Sequence, residues 1–152
     1  MRRSIAHCTL VVRDYDEAIA FFTDVLRFRL IEDTPLGDGK RWVVVAPSTP
    51  SGMSLLLARA ATPEQQRRIG DQTGGRVAFF LYTSDFDGDC DHMKACGVRF
   101  TEEPRREAYG PVVIFLDLYG TLSGGSDRRP PPAVANGIFR CDNVRSGGWR
   151  SG

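Results

Sequence analysis

Two segments of the chain, about 70 residues apart, follow the same pattern of apolar and helix-capping residues. The first runs from His7 through Asp14 to Leu30, and the second runs from Arg76 through Asp85 to Phe100. In each segment an apolar strand leads through an acidic cap into a helix and then into a second strand. Such self-similarity indicates two copies of one unit, neither of which can bury the apolar face of its sheet alone. We therefore expect the two units to pack together in one domain.

The complete units are predicted to have the order βαβββ. Turn-rich stretches separate the strand candidates, and a short helix capped by Thr62 and ended by Gly70 joins the units. The fold class is therefore α+β, with two tandem βαβββ units forming a curved mixed sheet around a cleft. The predicted strands are Ile5–Val12, Phe28–Glu32, Arg41–Ala46, Met53–Ala58, Arg76–Tyr82, Val98–Phe100 and Pro111–Leu116.

The composition changes after Gly120. Residues 1–120 form the predicted domain, with halves at about 5–60 and 74–120, whereas residues 121–152 are rich in Gly, Pro, Ser and Arg and lose apolar alternation. The closing strand expected for the second unit is therefore missing from the prediction, and residues 121–152 are predicted to be an atypical tail. Ile138–Cys141 is the one short segment of this tail with the character of a strand.

Charge, hydropathy and cysteine usage narrow the class of protein. The formal net charge of +1 argues against a nucleic-acid-binding protein, which usually carries a basic excess. An apolar run of about 20 residues and a signal-peptide core are both missing, so we expect a cytoplasmic protein without a membrane partner. The four cysteines, Cys8, Cys90, Cys96 and Cys141, show no C-x-x-C spacing and are predicted to be free thiols.

Three local motifs accompany the tandem units. They are His7-x-x-Leu10-x-Val12-x-Asp14, the pair Phe21-Phe22, and the ending Phe115-x-Asp117-x-Tyr119-Gly120. Together with the repeat, they resemble the vicinal oxygen chelate superfamily, which contains glyoxalase I, bleomycin-resistance proteins, fosfomycin-modifying enzymes and extradiol dioxygenases. The resemblance covers residues 5–120 and implies the fold, but one fold hosts many activities.

The resemblance also implies where a divalent metal would bind. Its four ligand positions fall on His7, Leu55, Arg76 and a residue near Gly124. Neither a leucine nor a permanently charged guanidinium can replace an imidazole or carboxylate donor. With His7 as the one matching ligand, we expect no metal and no other cofactor, and a divalent metal is the alternative.

Strand alternation independently predicts residues that face the cleft. Arg76, Phe80 and Tyr82 share one face of their strand, and His7 lies on the corresponding face of the first strand. An Arg and a His converging on an apolar pocket would bind a carboxylate or phosphonate, with aromatic rings stacking on the ligand. The alternative is that Arg76 extends to solvent or pairs with a loop carboxylate, and that His7 is a satisfied core residue. The candidate ligand-binding residues are His7, Trp42, Leu55, Arg76, Phe80 and Tyr82.

Three functions are compatible with these patterns. The first is a metal-free protein of the glyoxalase or bleomycin-resistance type that binds a small organic, possibly anionic, ligand. The second is a metal-dependent lyase or transferase of the same superfamily, resembling glyoxalase I or an antibiotic-modifying enzyme. The third is a non-catalytic assembly module. In each case a homodimer is expected, because the missing closing strand would leave a sheet edge unprotected.

Overall fold

The computed structural model contains both predicted units and describes residue 1 and residues 3–48 and 52–126. The first unit consists of β1 (His7–Val12), α1 (Tyr15–Ala20), β2 (Arg29–Gly37), β3 (Lys40–Ala46) and β4 (Ser54–Arg59). A connecting helix, α2 (Pro63–Arg68), follows. The second unit consists of β5 (Phe80–Tyr82), α3 (Phe86–Ala95), β6 (Arg105–Glu107), β7 (Gly110–Leu116) and β8 (Leu122–Ser126). The prediction of an α+β fold with two tandem βαβββ units is confirmed.

The strands of the two units are arranged in the same way. Within the described residues, one sheet has the strand order β1-β4-β3-β2 and the other has the order β5-β8-β7-β6. In each unit the first and last strands are parallel neighbours, and the remaining pairs are antiparallel. The internal repeat read from the sequence is therefore a repeat of topology.

The prediction that the closing strand is missing is wrong. β8 pairs in parallel with β5, where Phe80 is opposite Gly124, and antiparallel with β7, where Ile114 is opposite Gly124. Pairing of this kind uses backbone groups, which Ser and Gly provide without any apolar side chain. A gap of about 10 Å³ lies beside β8 and is lined in part by Cys90 and Gly125. The rest of the predicted tail, including Ile138–Cys141, lies outside the described residues.

The predicted caps position the helices. Asp14 accepts hydrogen bonds from the backbone N–H groups of the first turn of α1, at 2.9 and 3.0 Å. Thr62 accepts from Gln65 at the start of α2, and Asp85 caps α3 in the same manner. Helix α1 continues as a π-helical segment, Phe21–Val25. None of the helices in the described ranges is long and apolar enough to span a membrane.

The apolar faces of both sheets and one face of each of α1 and α3 share a single core. Phe22 of the π-helical segment is fully buried, and its ring centroid lies 6.4 Å from that of Phe79 in the second unit. A 3.3 Å ion pair between Arg27, which follows the π-helical segment, and Asp89 of α3 also joins the two units. The buried members of the core are Leu10, Val12, Tyr15, Ala18, Phe22, Leu26, Phe28, Val43, Val45, Leu55, Leu57, Phe86, Cys90, Met93, Val113 and Phe115.

Tyr119 joins the second unit to the start of α1. The Tyr119 hydroxyl lies between Asp14, the cap of α1, and Glu17 in its first turn. The Asp14 N–H donates to the hydroxyl oxygen at 3.3 Å, and the hydroxyl donates to the Glu17 carboxylate at 2.8 Å. Burial, and then the bond to Glu17, raise the pKa of Tyr119 to about 12. A side chain from the second unit thus completes a helix cap in the first.

The segment that connects the units is also fixed to both of them. The side-chain amide of Gln72 accepts from the Val11 N–H at 3.1 Å and donates to the Val11 carbonyl at 2.7 Å, so it pairs with the outer edge of β1 as a strand would. Gly70 has a positive φ of +81°, and a Cβ at this residue would lie 2.2 Å from the Tyr119 carbonyl oxygen. The close approach of these two backbones requires glycine.

We predict that Gly70→Ala destabilises the protein by about 3 kcal/mol or more, because the added Cβ forces two backbones apart and strains a left-handed residue. Gly74→Ala is the matched control, since Gly74 also has a positive φ (+63°) but has no atom within 4 Å of its Cβ position. Gly74→Ala is expected to lower the free energy of unfolding by about 1–2 kcal/mol, which is the cost of the left-handed backbone conformation alone. Urea denaturation measures both, and equal losses would show that the contact with Tyr119 is unimportant.

Asp117 forms the turn that leads into β8. Its side chain is 5% exposed and accepts from the N–H groups of Tyr119 (2.9 Å) and Thr121 (2.8 Å). Burial raises the pKa of this carboxyl, and the backbone hydrogen bonds offset part of the increase. In the folded state Asp117 therefore binds a proton more readily than it does in the unfolded chain.

The sign of this shift gives a pH prediction. Because the folded pKa lies above the unfolded value, the Asp117 carboxyl favours folding at low pH, and this contribution is lost as the pH rises through the folded pKa. The free energy of unfolding of the wild type, relative to Asp117→Asn, should therefore fall between pH 4 and pH 7. Asp33→Asn is a control of opposite sign that is measured below pH 4, because the bond to Arg41 lowers the pKa of Asp33 and its contribution to stability is lost only as the pH falls through that lowered value. A difference between wild type and Asp117→Asn that rises with pH would contradict the account.

Candidate functional site

The first sheet has a face that points away from the shared core. On β1, Leu10 and Val12 lie in the core, so the alternate residues His7 and Thr9 point to the opposite side. His7 is paired across the strands with Ser54 of β4. Register and alternation thus bring the start of β1 and the start of β4 together on this outer face.

His7, Ser54 and Trp42 form a contact cluster on the outer face. The Nδ1 atom of His7 lies 2.8 Å from the Ser54 hydroxyl oxygen, and that hydroxyl lies 3.1 Å from the Ala6 carbonyl. The ring of Trp42, on β3, meets the imidazole edge-on, with centroids 6.0 Å apart and planes inclined at 81°. His7 is exposed, whereas Trp42 and Ser54 are half-buried. The cluster therefore presents a hydrogen-bonding ring beside an aromatic surface, both accessible to a solute.

The guanidinium of Arg41, the residue before Trp42 in β3, is already paired with carboxylates of the same unit. The guanidinium of Arg41 contacts Asp33 at 2.9 and 2.5 Å and Asp16 at 2.8 Å, and lies over the ring of Tyr15. These contacts raise the pKa of Arg41, with the bond to Asp33 as the largest cause. Arg41 is thus held by its own carboxylates and is poorly placed to serve a ligand.

The second sheet presents two aromatic side chains on its outer face. Phe80 and Tyr82 of β5 are 54% and 42% exposed, while Leu81 between them packs against the core. The ring of Phe80 covers Gly124, where a Cβ would lie 2.6 Å from the ring atom Cδ1. This close contact depends on the absence of a side chain at residue 124.

Leu55 does not belong to the outer face, contrary to the prediction. Its side chain is 8% exposed and lies in the shared core, because Ser54 and Leu56 occupy the alternate positions of β4. The prediction missed Ser54, which takes the place beside His7. A correct register between the first and fourth strands would have identified it, but the sequence alone carried no signal for that register.

Arg76 lies in the exposed segment before β5, since the strand predicted to start there begins at Phe80. Its carbonyl accepts a hydrogen bond from the Thr73 hydroxyl. Ala78 precedes the helix cap Asp85 by the same number of residues as His7 precedes the helix cap Asp14. Ala78, and not Arg76, is therefore the counterpart of His7 in the second unit. Among the described residues, no contact joins the Arg76 guanidinium to His7 or Trp42.

The residues at the four implied metal-ligand positions do not fit a metal. His7 offers one imidazole, Leu55 is in the core, Arg76 is a cation in a loop, and the position at Gly124 has no side chain and lies under Phe80. Within the described ranges, no group of three or more His, Cys, Asp and Glu side chains is placed to hold a metal ion. A divalent cation needs at least three protein donors in a site of this kind.

Comparison with known proteins identifies the family. Residues 4–122 match the model of the Glyoxalase/Bleomycin resistance protein/Dioxygenase superfamily. The chain belongs to this superfamily, and the resemblance to the vicinal oxygen chelate fold is confirmed.

Individual relatives agree with this assignment. An uncharacterized protein of Shewanella frigidimarina (strain NCIMB 400) is 53% identical over 123 residues, which cover 80% of this chain and 91% of that protein. The crystal structure of UcmS2 is similar with a TM-score of 0.72 and 26% identity, covering 84% of this chain and 100% of that one. TnmS3 of Streptomyces sp. CB03234, described as an antibiotic binding protein, has a TM-score of 0.67 and 26% identity over 84% of this chain and 98% of its own.

Proposed function

We propose that this protein binds a small organic ligand on the outer face of its sheets, without a metal. The observation that carries the proposal is the cluster of His7, Ser54 and Trp42, in which a hydrogen-bonding ring and an aromatic surface meet on an accessible face. The similarity to TnmS3, an antibiotic binding protein, supports a binding function for this fold. The exposed rings of Phe80 and Tyr82 supply further surface on which a planar ligand would stack.

The ligand need not carry a negative charge. The expectation of an anion depended on Arg76 converging with His7, whereas Arg76 lies in the exposed segment before β5. Arg41, the cation adjacent to Trp42, is engaged by Asp33 and Asp16. Apolar and aromatic contacts, with His7 as a polar anchor, therefore account for binding better than an ion pair does.

We place the protein in the cytoplasm. Cys8 and Cys96 are exposed free thiols, and Cys90 is a buried one. Exposed thiols persist in a reducing compartment, where disulfides are rare. Cys141, the fourth predicted free thiol, lies outside the described residues.

A thermal-shift screen of planar aromatic compounds and small organic acids is expected to find ligands that raise the melting temperature. For such a ligand, Trp42→Ala should weaken binding about tenfold or more, because an aromatic contact is lost from the site. Tyr109→Ala is the control, since Tyr109 is an exposed aromatic residue (48%) in the turn between β6 and β7, outside the cluster of His7, Ser54 and Trp42. Ligands whose affinity fell equally in both variants, or not at all in Trp42→Ala, would place the site elsewhere.

We predict that Ni²⁺ and Zn²⁺ do not bind stoichiometrically at His7, since one imidazole supplies one of the three or more donors required. Calorimetric titration of each metal into the wild type and into His7→Ala should give the same weak signal. One tightly bound metal per chain, lost in His7→Ala, would overturn the metal-free proposal and favour the metal-dependent lyase or transferase.

We also propose that the protein is a homodimer, for a reason different from the one expected. β8 closes the second sheet, so the unprotected edge inferred from its absence does not exist. Instead, all nine residues of the edge strand β2 are exposed, and they include three large apolar side chains, Leu30 (42%), Ile31 (54%) and Leu36 (60%). Exposed apolar side chains grouped on one strand are typical of an interaction surface.

Light scattering at micromolar concentration should therefore give the mass of two chains. The double substitution of Ile31→Lys and Leu36→Lys should shift the mass toward one chain, because it places charges in the apolar contact. Ile5→Lys is the control, since Ile5 is 71% exposed and lies outside β2. A wild-type mass of one chain would exclude the dimer.

A further inference from the structure

Among the sheet edges in the described residues, β2 is the best suited to pair with another strand. All nine of its residues are exposed, and three of them carry large apolar side chains. By contrast, Gln72 pairs with the outer edge of β1, and the edge strands β5 and β6 have three residues each. A long uncovered edge with apolar side chains is a template for a further strand.

The register of β2 places two opposite charges on the same face of the sheet. Arg29 is opposite Ala46 of β3, and Glu32 is opposite Val44, two residues away on β3. Side chains two residues apart on a strand share a face, so Arg29 and Glu32 both point to the outer face. The register shift between Leu30 and Glu32 makes this possible for residues three apart on β2.

The charges of Arg29 and Glu32 are unpaired in the part of the chain that the structure describes. Both residues are exposed, and neither forms an ion pair there. The Glu32 carboxylate accepts a hydrogen bond from the Thr34 hydroxyl at 3.1 Å, which leaves most of its acceptor sites open. An opposite charge from a partner would therefore find both groups available.

We propose that two copies of the chain pair antiparallel along β2, about a two-fold axis between Leu30 and Ile31. This inference rests on the proposed homodimer and specifies its contact. Two-fold symmetry makes each contact occur twice, so in each chain Arg29 is opposite the Glu32 of the second copy, and Leu30 is opposite its Ile31. Opposite charges and large apolar side chains both form favourable cross-strand pairs.

Registers shifted toward the end of β2 are less favourable. An axis between Glu32 and Asp33 would place these two carboxylates opposite each other, and like charges in that arrangement repel. An axis at Asp33 would place the two copies of Asp33 opposite each other. Both registers would also include Pro35, which has no N–H group to donate. In the proposed register the pairing ends at Glu32, so Pro35 lies outside it.

The pairing bears on the proposed ligand site. Antiparallel pairing about an axis perpendicular to the sheet keeps corresponding faces on the same side, so the four-stranded sheets of two chains would form one continuous sheet. The two clusters of His7, Ser54 and Trp42 would then lie on one side of the dimer.

Charge reversal tests the register. Light scattering over a range of protein concentrations gives the dissociation constant of the dimer. Arg29→Glu and Glu32→Arg, made separately, each place like charges opposite one another twice and should weaken the dimer about tenfold. Both substitutions in one chain restore opposite charges, so the dissociation constant should return close to the wild-type value. A loss of folding in either single variant would not be reversed in this way.

Ile31→Lys and Leu36→Lys, made separately, are a second test. Ile31 lies at the proposed axis and Leu36 lies outside the paired segment. Ile31→Lys should therefore weaken the dimer strongly, whereas Leu36→Lys should leave its dissociation constant nearly unchanged. A stronger effect of Leu36→Lys would contradict the proposed register.

The outcomes distinguish this inference from the homodimer itself. A wild-type dimer that is unaffected by the single charge reversals, or that the double reversal fails to restore, would overturn the register and leave the homodimer in place. A wild-type mass of one chain would contradict both proposals. Weakening by each single reversal, with recovery in the double variant, would support both.

Discussion

The structure depends on a single constraint, which is that each sheet has one apolar face too large to be covered by its own helix alone. The two units meet this constraint together, since residues from both sheets and from α1 and α3 form one core. Phe22 and Phe115, one from each unit, are fully buried there. Burial of a large apolar side chain contributes about 1.5–3 kcal/mol, so separating the units would cost far more than any surface contact between them provides. Because the helices occupy the core side, the opposite faces of the sheets are left for the proposed ligand.

The polar contacts between the units refine this packing rather than drive it. The Tyr119 hydroxyl completes the cap of α1, and Gln72 pairs with the outer edge of β1. Each satisfies backbone groups that would otherwise lack partners, and each comes from a part of the chain distant in sequence. These contacts fix how the units are placed relative to one another, and hence how the residues of the outer face are displayed.

The repeat, the helix caps and the elements of the first unit could be predicted from the sequence because they follow from local patterns. In the second unit, the second strand was predicted at Val98–Phe100, where one bridge joins Phe100 to Phe115, whereas β6 lies at Arg105–Glu107. β8 could not be predicted, since Ser123, Gly124 and Gly125 lack alternation, and their pairing is decided by the neighbours β5 and β7. Of the predicted ligand-binding residues, His7 and Trp42 are in contact, but Leu55 was placed on the wrong face. A slip of one residue along a strand moves a side chain to the other face, so a pattern without a register cannot distinguish Leu55 from Ser54.

We propose that His7 is a hydrogen-bonding group in contact with Ser54 and not a metal ligand. The ¹⁵N chemical shifts of its two ring nitrogens test this most directly, with the resonances of His92, the other histidine, identified by His92→Gln. We expect neither shift to change when one equivalent of Zn²⁺ is added. A stoichiometric change of either His7 shift with Zn²⁺ would show that His7 binds a metal and would contradict the metal-free proposal.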